Sequence, residues 1–510
     1  MKSPVAHPRY ALLILVCLPF LTWGASDMSS PTASRLSAAR VLVYGQPSDA
    51  GMDDTLGTRI DEVVAASLKN NDTSGAVVLV ARRGIIVHER AYGWRAVVPQ
   101  REQMTTDTIF DLASLTKCVA TASAVTKLVE MGKIRLGDPV KKYIPEWTNT
   151  PEEKARLAAW DKLQRFLRQR ILRVEPAFTA SEDNSTSALV AIRNAKEKPT
   201  ELWKRLWRSG ELRLSQKAWD ELFEKTTYDR ESVTLRHLLT HTSGLDAYDN
   251  YYLKFPEGNA RQKIIADIAR RPLRAPAGER FIYSDLGYIT LGEIVERVSG
   301  LDLNTFCRTY LYEPLGMHDT MFNPPPALKP RVAPSEWRTP PPRAAHALVQ
   351  EKYMIRGEVH DGNAFVQNGI SGHAGLFTTA HDLAIFCQMM LQGGAYGTTR
   401  VYGPLTVHAM ISPQMTLPDG TRRGYGWDVS SDYSHQRGDL FSSGFGHTGW
   451  TGTSVWAVPD ENLFIIILTN RCHPDGTGDV AALRARVANV VAASVLESDA
   501  KEHRDRSGAN

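Results

Sequence analysis

The stretch Phe110-Asp-Leu-Ala-Ser114-Leu-Thr-Lys117-Cys-Val-Ala-Thr-Ala-Ser-Ala-Val125 starts polar and continues as a helix. Ser114 and Lys117 are three residues apart. On a helix that spacing puts both on one face, one turn from each other. A serine hydroxyl is a weak nucleophile until a neighbour takes its proton. A lysine can take it if burial or another cation lowers its pKa. The helix N-terminus adds backbone N–H groups that favour a developing oxyanion. The structural alternative is Ser114 as a helix cap or first-turn residue and Lys117 as a surface charge. Ser-x-x-Lys alone is weak evidence, so the surrounding chain decides.

Two further segments carry chemistry. Tyr283-Ser284-Asp285 precedes a helical run from Leu286 to Val298. A tyrosine beside a lysine can share proton-transfer duty; a buried tyrosine with a satisfied hydroxyl is the bland reading. Gly446-His447-Thr448-Gly449-Trp450-Thr451-Gly452 leads into a strand at Thr453. Glycines at a strand edge let a substrate backbone approach closely. The alternative is a Gly-rich turn with a structural histidine.

Outward from these motifs, periodicity sets the fold class. Ile60, Val63, Val64 and Leu68 recur at helical spacing. Ala76–Ala81, a turn at Arg82-Arg83-Gly84 and Ile85–Arg90 read as a hairpin. Thr453–Val458, a turn at Pro459–Asn462 and Leu463–Leu468 read as another. Val480 to Leu496 reads as a terminal helix, with Leu483, Val487, Val490, Val491 and Val495 on one side. Hairpins at both ends with helices between them argue for an α+β fold, an antiparallel sheet flanked by helices. The strand-helix-strand rhythm of a parallel sheet is missing.

The 510 residues are 43% hydrophobic and 23% charged, as in soluble globular proteins. The net charge of +4, with no dominant basic stripe, speaks against nucleic-acid binding. Lys2 and Arg9 precede the apolar run Ala11–Leu21. This reads as a signal peptide over residues 1–24, cut after Gly24, with an uncleaved N-terminal anchor as the alternative. Residues 25–54 read as a tether and 499–510 as a polar tail. Cys118, Cys307, Cys387 and Cys472 are far apart, form no zinc signature, and read as buried thiols. The highly charged residues from about 150 to 231 contain Trp160, Trp203, Trp207 and Trp219 at helical spacing and read as a helical insert. Pro324–Pro342 reads as an extended connection.

Ser114-Leu-Thr-Lys117, Tyr283-Ser-Asp285 and His447-Thr-Gly449 resemble, in order and rough spacing, the three motifs of the serine β-lactamase and penicillin-binding protein superfamily. They are most similar to its branch of class C β-lactamases, D-alanyl-D-alanine carboxypeptidases and esterases. Leu235–Leu245, Gly357–Asp361, Gly372–Phe377 and Leu468–Pro474 resemble further family phrases. The resemblance implies a β-lactamase/transpeptidase-like catalytic domain over residues 55–498, with a mainly helical subdomain between the first two motifs. It implies an acyl-enzyme on Ser114, proton shuttling by Lys117 and Tyr283, and an oxyanion hole from the N–H groups of Ser114 and Trp450. His447, Thr448 and Gly449 would line an edge strand and position substrate, as would Asp285 and Trp450. No metal and no cofactor are implied.

Two positions depart from the best-known pattern. Asp285 stands where asparagine is common; a carboxylate only accepts hydrogen bonds, and close to Lys117 it would favour the protonated amine. His447 stands where β-lactamases often carry lysine, and a neutral histidine is a weaker carboxylate anchor. The expected protein is an exported, periplasmic or envelope-associated serine hydrolase. Its substrate would be a D-alanyl peptide of peptidoglycan, with carboxylesterase or β-lactamase activity as the rival. A catalytically silent wall-peptide binder is the rival from another class.

Overall fold

The computed structural model describes residues 39–158, 161, 208, 227–339 and 352–499. The two hairpins lie side by side in one sheet. Its first strands are Val43–Tyr44 (β1), Gly75–Arg82 (β2) and Ile85–Ala96 (β3). The turn between β2 and β3 places Arg83 and Gly84 at φ of 55° and 82°. Positive φ at both turn residues matches the twist of the flanking strands. The later strands are Met415–Thr416 (β4), Arg422–Arg423 (β5), Asp428–Ser430 (β6), Phe445–Thr448 (β7), Ser454–Val458 (β8) and Leu463–Thr469 (β9). Their order across the sheet is β1-β3-β2-β9-β8-β7-β6-β5-β4. Every pairing on this path is antiparallel except β1 with β3, which is parallel. The sheet is therefore mixed at that edge, where the sequence reading expects antiparallel strands throughout.

β2 and β9 are buried along their whole lengths because helices cover both faces. Side chains alternate between the faces with period two. Ala76, Val78 and Val80 of β2 join Ile465 and Ile467 of β9 in one layer, beneath the helices Leu56–Lys69 (α1) and Ala481–Ala493 (α5). Val77, Leu79 and Ala81 join Ile466 and Leu468 in the other. That layer also holds Ser123–Glu130 (α2), Asp285–Ser299 (α3) and Ala380–Leu391 (α4). Each fully buried Val, Leu or Ile contributes about 1.5–3 kcal/mol relative to exposure.

The N-terminal segment corrects one boundary. Residues 39–54, expected to belong to the tether, pack onto the domain: β1 pairs with β3, and Ala50 and Met52 are fully buried against the α1/α5 layer. The backbone of β3 supplies the pairing, so no apolar periodicity is needed. The described part of Pro324–Pro342, residues 324–339, is also not simply extended, and residues 340–342 lie outside the described residues. Pro326–Arg331 forms a 3-10 helix and Trp337–Arg338 pairs with Tyr353–Met354. The fixed proline φ suits such a tight turn. The leader at 1–24 and residues 500–510 of the expected tail lie outside the described residues, while Asp499 pairs with Arg83. Of the expected insert, residues 151–158 are helical, and most of the rest is outside the description. Its two ends are stapled together, by Trp147 Nε1 to Arg230 O at 2.8 Å and Asn149 Nδ2 to Asp229 Oδ1 at 2.6 Å.

Candidate active site

Ser114 sits on the 3-10 turn Ala113–Leu115, just before a π-helical stretch, Lys117–Ala122, that runs into α2. Ala113 takes φ 46°, a left-handed conformation costly for a residue with a Cβ. Neighbours hold it there. Asp111 Oδ1 accepts the Ala113 N–H at 2.8 Å, and the Leu112 N–H donates to Leu376 O at 2.8 Å. The turn leaves Ser114 half-buried while Lys117 is fully buried. Lys117 Nζ donates to Ser114 Oγ at 2.8 Å and to the His373 carbonyl at 3.1 Å.

The second motif reaches the same point from α3. Ser284 caps that helix by accepting the Gly287 N–H, and Asp285 opens its first turn. Asp285 Oδ1 lies 2.8 Å from Lys117 Nζ. Tyr283 stands beside both groups: Ser114 and Lys117 each act on its phenol, and Lys117 Nζ is 5.0 Å from its ring centroid. The phenol ring stacks on His241 at 4.4 Å and on Tyr433 at 5.2 Å. His241 in turn accepts the Ser284 N–H on Nδ1 at 2.9 Å, which fixes the backbone beside Tyr283.

The third motif closes the site. β7 is not at the sheet edge, but its register with β6 is the single pair Asp428↔Gly446. His447 and Thr448 therefore extend past the β6 partner while still pairing with Val455 and Ser454 of β8. The following loop is tied to the chain just before Ser114: Thr451 Oγ1 donates to Asp111 O at 2.6 Å and Thr453 Oγ1 to Leu112 O at 3.0 Å. Only glycine fits at 449, because a Cβ would stand 2.2 Å from Thr453 Oγ1 and 2.3 Å from Leu112 O. Neither the Ser114 N–H nor the Trp450 N–H has an acceptor among the described residues. Trp450 is 67% exposed, with the Arg471 guanidinium 4.5 Å from its ring.

Charge state follows from these contacts. Burial alone would push Lys117 toward neutrality, but the Asp285 carboxylate and the Tyr283 phenol outweigh it and raise its pKa above the ordinary lysine range. Burial likewise raises the Tyr283 phenol, so its resting form is neutral. His447 Nδ1 lies 2.7 Å from Thr448 O. A carbonyl only accepts, so Nδ1 carries the hydrogen and Nε2 the lone pair. Burial, with Arg423 and Lys117 nearby, holds His447 well below the usual histidine range. It is therefore no cationic anchor at neutral pH.

Of the eight residues singled out from the sequence, Ser114, Tyr283 and Asp285 gather around Lys117 Nζ, and His447, whose ring is 5.9 Å from that of Tyr283, leads along the strand end to Thr448, Gly449 and Trp450. Several others were missed. His373 supplies the carbonyl behind Lys117, with its ring held between Ser371 Oγ at 2.9 Å and Asp361 Oδ1 at 2.8 Å. His241, His373 and Asp361 fall inside the phrases quoted from the sequence, which was the available signal. Arg423, fully buried with Nη1 3.4 Å from Asp428, gave none.

A serine, lysine and tyrosine gathered where a helix-covered sheet meets a helical layer define the β-lactamase/transpeptidase fold. The chain belongs to the Beta-lactamase family, which it matches over residues 60–161 and 202–489. It is 28% identical over 452 residues to a Salmonella schwarzengrund (strain CVM19633) protein named "Putative D-alanyl-D-alanine carboxypeptidase", covering 85% of this chain and 87% of that one. Among solved structures, a penicillin-binding protein homologue from Caulobacter crescentus is similar at TM-score 0.57 and 17% identity, covering 87% of this chain and 98% of the other. EstCE1, a hydrolase with promiscuous acyltransferase activity, is similar at TM-score 0.56 and 19% identity, covering 86% and 98%.

Proposed function

We propose that this chain is an exported serine hydrolase that forms an acyl-enzyme on Ser114 and acts on D-alanyl peptides of peptidoglycan. The observation that carries the reading is Lys117 Nζ at 2.8 Å from Ser114 Oγ, with the Tyr283 ring centroid 5.0 Å from the same amine. In its unprotonated form Lys117 takes the Ser114 proton as Oγ attacks the scissile carbonyl. The oxyanion is met by the N–H groups of Ser114 and Trp450. As the tetrahedral intermediate collapses, Lys117 and Tyr283 return a proton to the departing amine or alkoxide. Water then cleaves the Ser114 ester and releases the acid.

A carboxylesterase is the second reading. Neutral His447 favours it, because that residue offers no positive charge to a substrate carboxylate. The two separate in one assay series on the full chain and Ser114→Ala. Release of D-alanine from a D-alanyl-D-alanine peptide and labelling by fluorescent penicillin, both lost in Ser114→Ala, support the peptidase. Turnover of short acyl esters without either supports the esterase. Binding of wall peptide with no turnover and no acylation supports a silent binder and overturns both.

A further inference from the structure

Arg484 lies on the buried side of α5, between Leu483 and Val487, and is 7% exposed. Its Nη2 donates to Gly449 O at 3.1 Å and to Thr453 O at 2.9 Å. These carbonyls bracket the loop that carries Trp450. No carboxylate lies within ion-pair distance of it among the described residues, and its Nε has no hydrogen-bond partner there. A buried guanidinium without a carboxylate is expensive. Burial lowers its pKa only to about 10, so it keeps its charge at neutral pH.

The Gly449 carbonyl and the Trp450 N–H belong to one peptide group. A cation on the carbonyl oxygen draws electron density through the amide and makes its N–H a stronger donor, as hydrogen-bond chains polarise one another. We propose that Arg484 is a positioning residue that polarises the oxyanion-hole peptide, acting through the 449–450 amide rather than on substrate. This rests on the reading of Ser114 as the acylated residue and Trp450 N–H as an oxyanion donor. Structural clamping of the loop does not need a charge: Gly449 N–H already donates to Thr453 O at 2.7 Å, and Gly452 N–H to Gly449 O at 3.0 Å.

The test compares Arg484→Gln, which keeps an amide donor and removes the charge, with Arg484→Lys, which keeps the charge. The probes are 4-nitrophenyl acetate, for turnover, and phenylboronic acid, whose tetrahedral serine adduct mimics the oxyanion. Losing an oxyanion donor outright costs 10²–10³ in kcat, so weakening one should lower kcat by about tenfold. Arg484→Gln should raise the inhibition constant of phenylboronic acid by a similar factor while KM moves little. Arg484→Lys should stay within about threefold of the unaltered chain on both. If Arg484→Gln fails to fold, Arg484→Met removes the charge and the hydrogen bonds together, and Arg484→Lys, which keeps the charge, carries the comparison. Unaltered kinetics in the neutral variant would overturn the inference, as would a Lys variant that falls as far as Gln. Ester turnover that survives Ser114→Ala would instead overturn the underlying reading of the site, and this inference with it.

Discussion

Asp285 Oδ1 lies 2.8 Å from Lys117 Nζ, so the amine that faces Ser114 rests against a carboxylate. A negative charge at that distance stabilises the ammonium, and the Lys117 pKa is raised accordingly. In the proposed mechanism this holds Lys117 in its protonated form until a proton leaves. In Asp285→Asn that charge is gone and the Lys117 pKa falls. The alkaline-rising limb of kcat/KM should move to lower pH by about 1–3 units, with higher kcat/KM at pH 7. A helix N-terminus favours acidic side chains, so the same change should cost about 0.3–1 kcal/mol of stability. A limb that stays in place would remove Lys117 from the role of base.

Gly449→Ala tests the loop geometry. The new methyl would meet Thr453 Oγ1 at 2.2 Å and Leu112 O at 2.3 Å, and both groups are hydrogen-bonded to each other. The loop must shift, at about 1–3 kcal/mol of strain. Displacing the Trp450 N–H should then reduce acylation by about a hundredfold. Stopped-flow acylation and thermal melting of the variant check both. A variant acylated at the parental rate would show that this N–H plays no part.

His447→Lys adds a cation beside Arg423 and Lys117. Like charges disfavour one another, so the Lys117 pKa should fall and the alkaline limb should move down. The new ammonium would also offer a carboxylate anchor that neutral His447 lacks. Penicillin acylation should rise relative to ester turnover by about tenfold, the equivalent of one modest charge-assisted hydrogen bond. Unchanged pH profile and unchanged penicillin acylation would refute this account of position 447.

Acid should weaken the fold through buried histidines. His88 is 5% exposed, and burial followed by the Arg90 charge pushes its pKa down to about 4. The unfolded chain protonates this histidine below pH 6.5 while the folded chain does not until about 4. Its stabilisation is therefore complete above 6.5 and is lost as pH falls toward 4, by roughly 3 kcal/mol. His241 and His447 shift in the same direction. Urea midpoints should drop between pH 7 and 4.5, and His88→Gln should flatten the slope. Equal slopes in the two chains would contradict this.

The pairing of Ser114 with Lys117 was legible because residues three apart on a helical segment share a face, and the 3-10 turn followed by the π-helical stretch keeps them 2.8 Å apart. The hairpins were legible because β2 and β9 are long apolar runs, each joined to its neighbour in sequence, β3 or β8, by a short run of turn residues. Tyr283 and His447 are brought in by tertiary packing, so only their resemblance to family motifs pointed to them. β1 left no pattern: Val43 and Tyr44 are 53% and 66% exposed, and it is held by backbone pairing. The group behind Lys117 is the backbone carbonyl of His373, which any residue could supply. Arg484 reads in sequence as one more charge on an amphipathic helix, because helical spacing alone does not mark a cation folded inward.

The central claim is a covalent bond from substrate acyl carbon to Ser114 Oγ. Intact-mass analysis of the full chain after exposure to D-alanyl peptides, short esters and penicillins, followed by peptide mapping, reads it directly. The account predicts a mass increase equal to the acyl group, located on the peptide containing Ser114 and absent from Ser114→Ala. An adduct on any other residue, or hydrolysis that proceeds undiminished in Ser114→Ala, would contradict it.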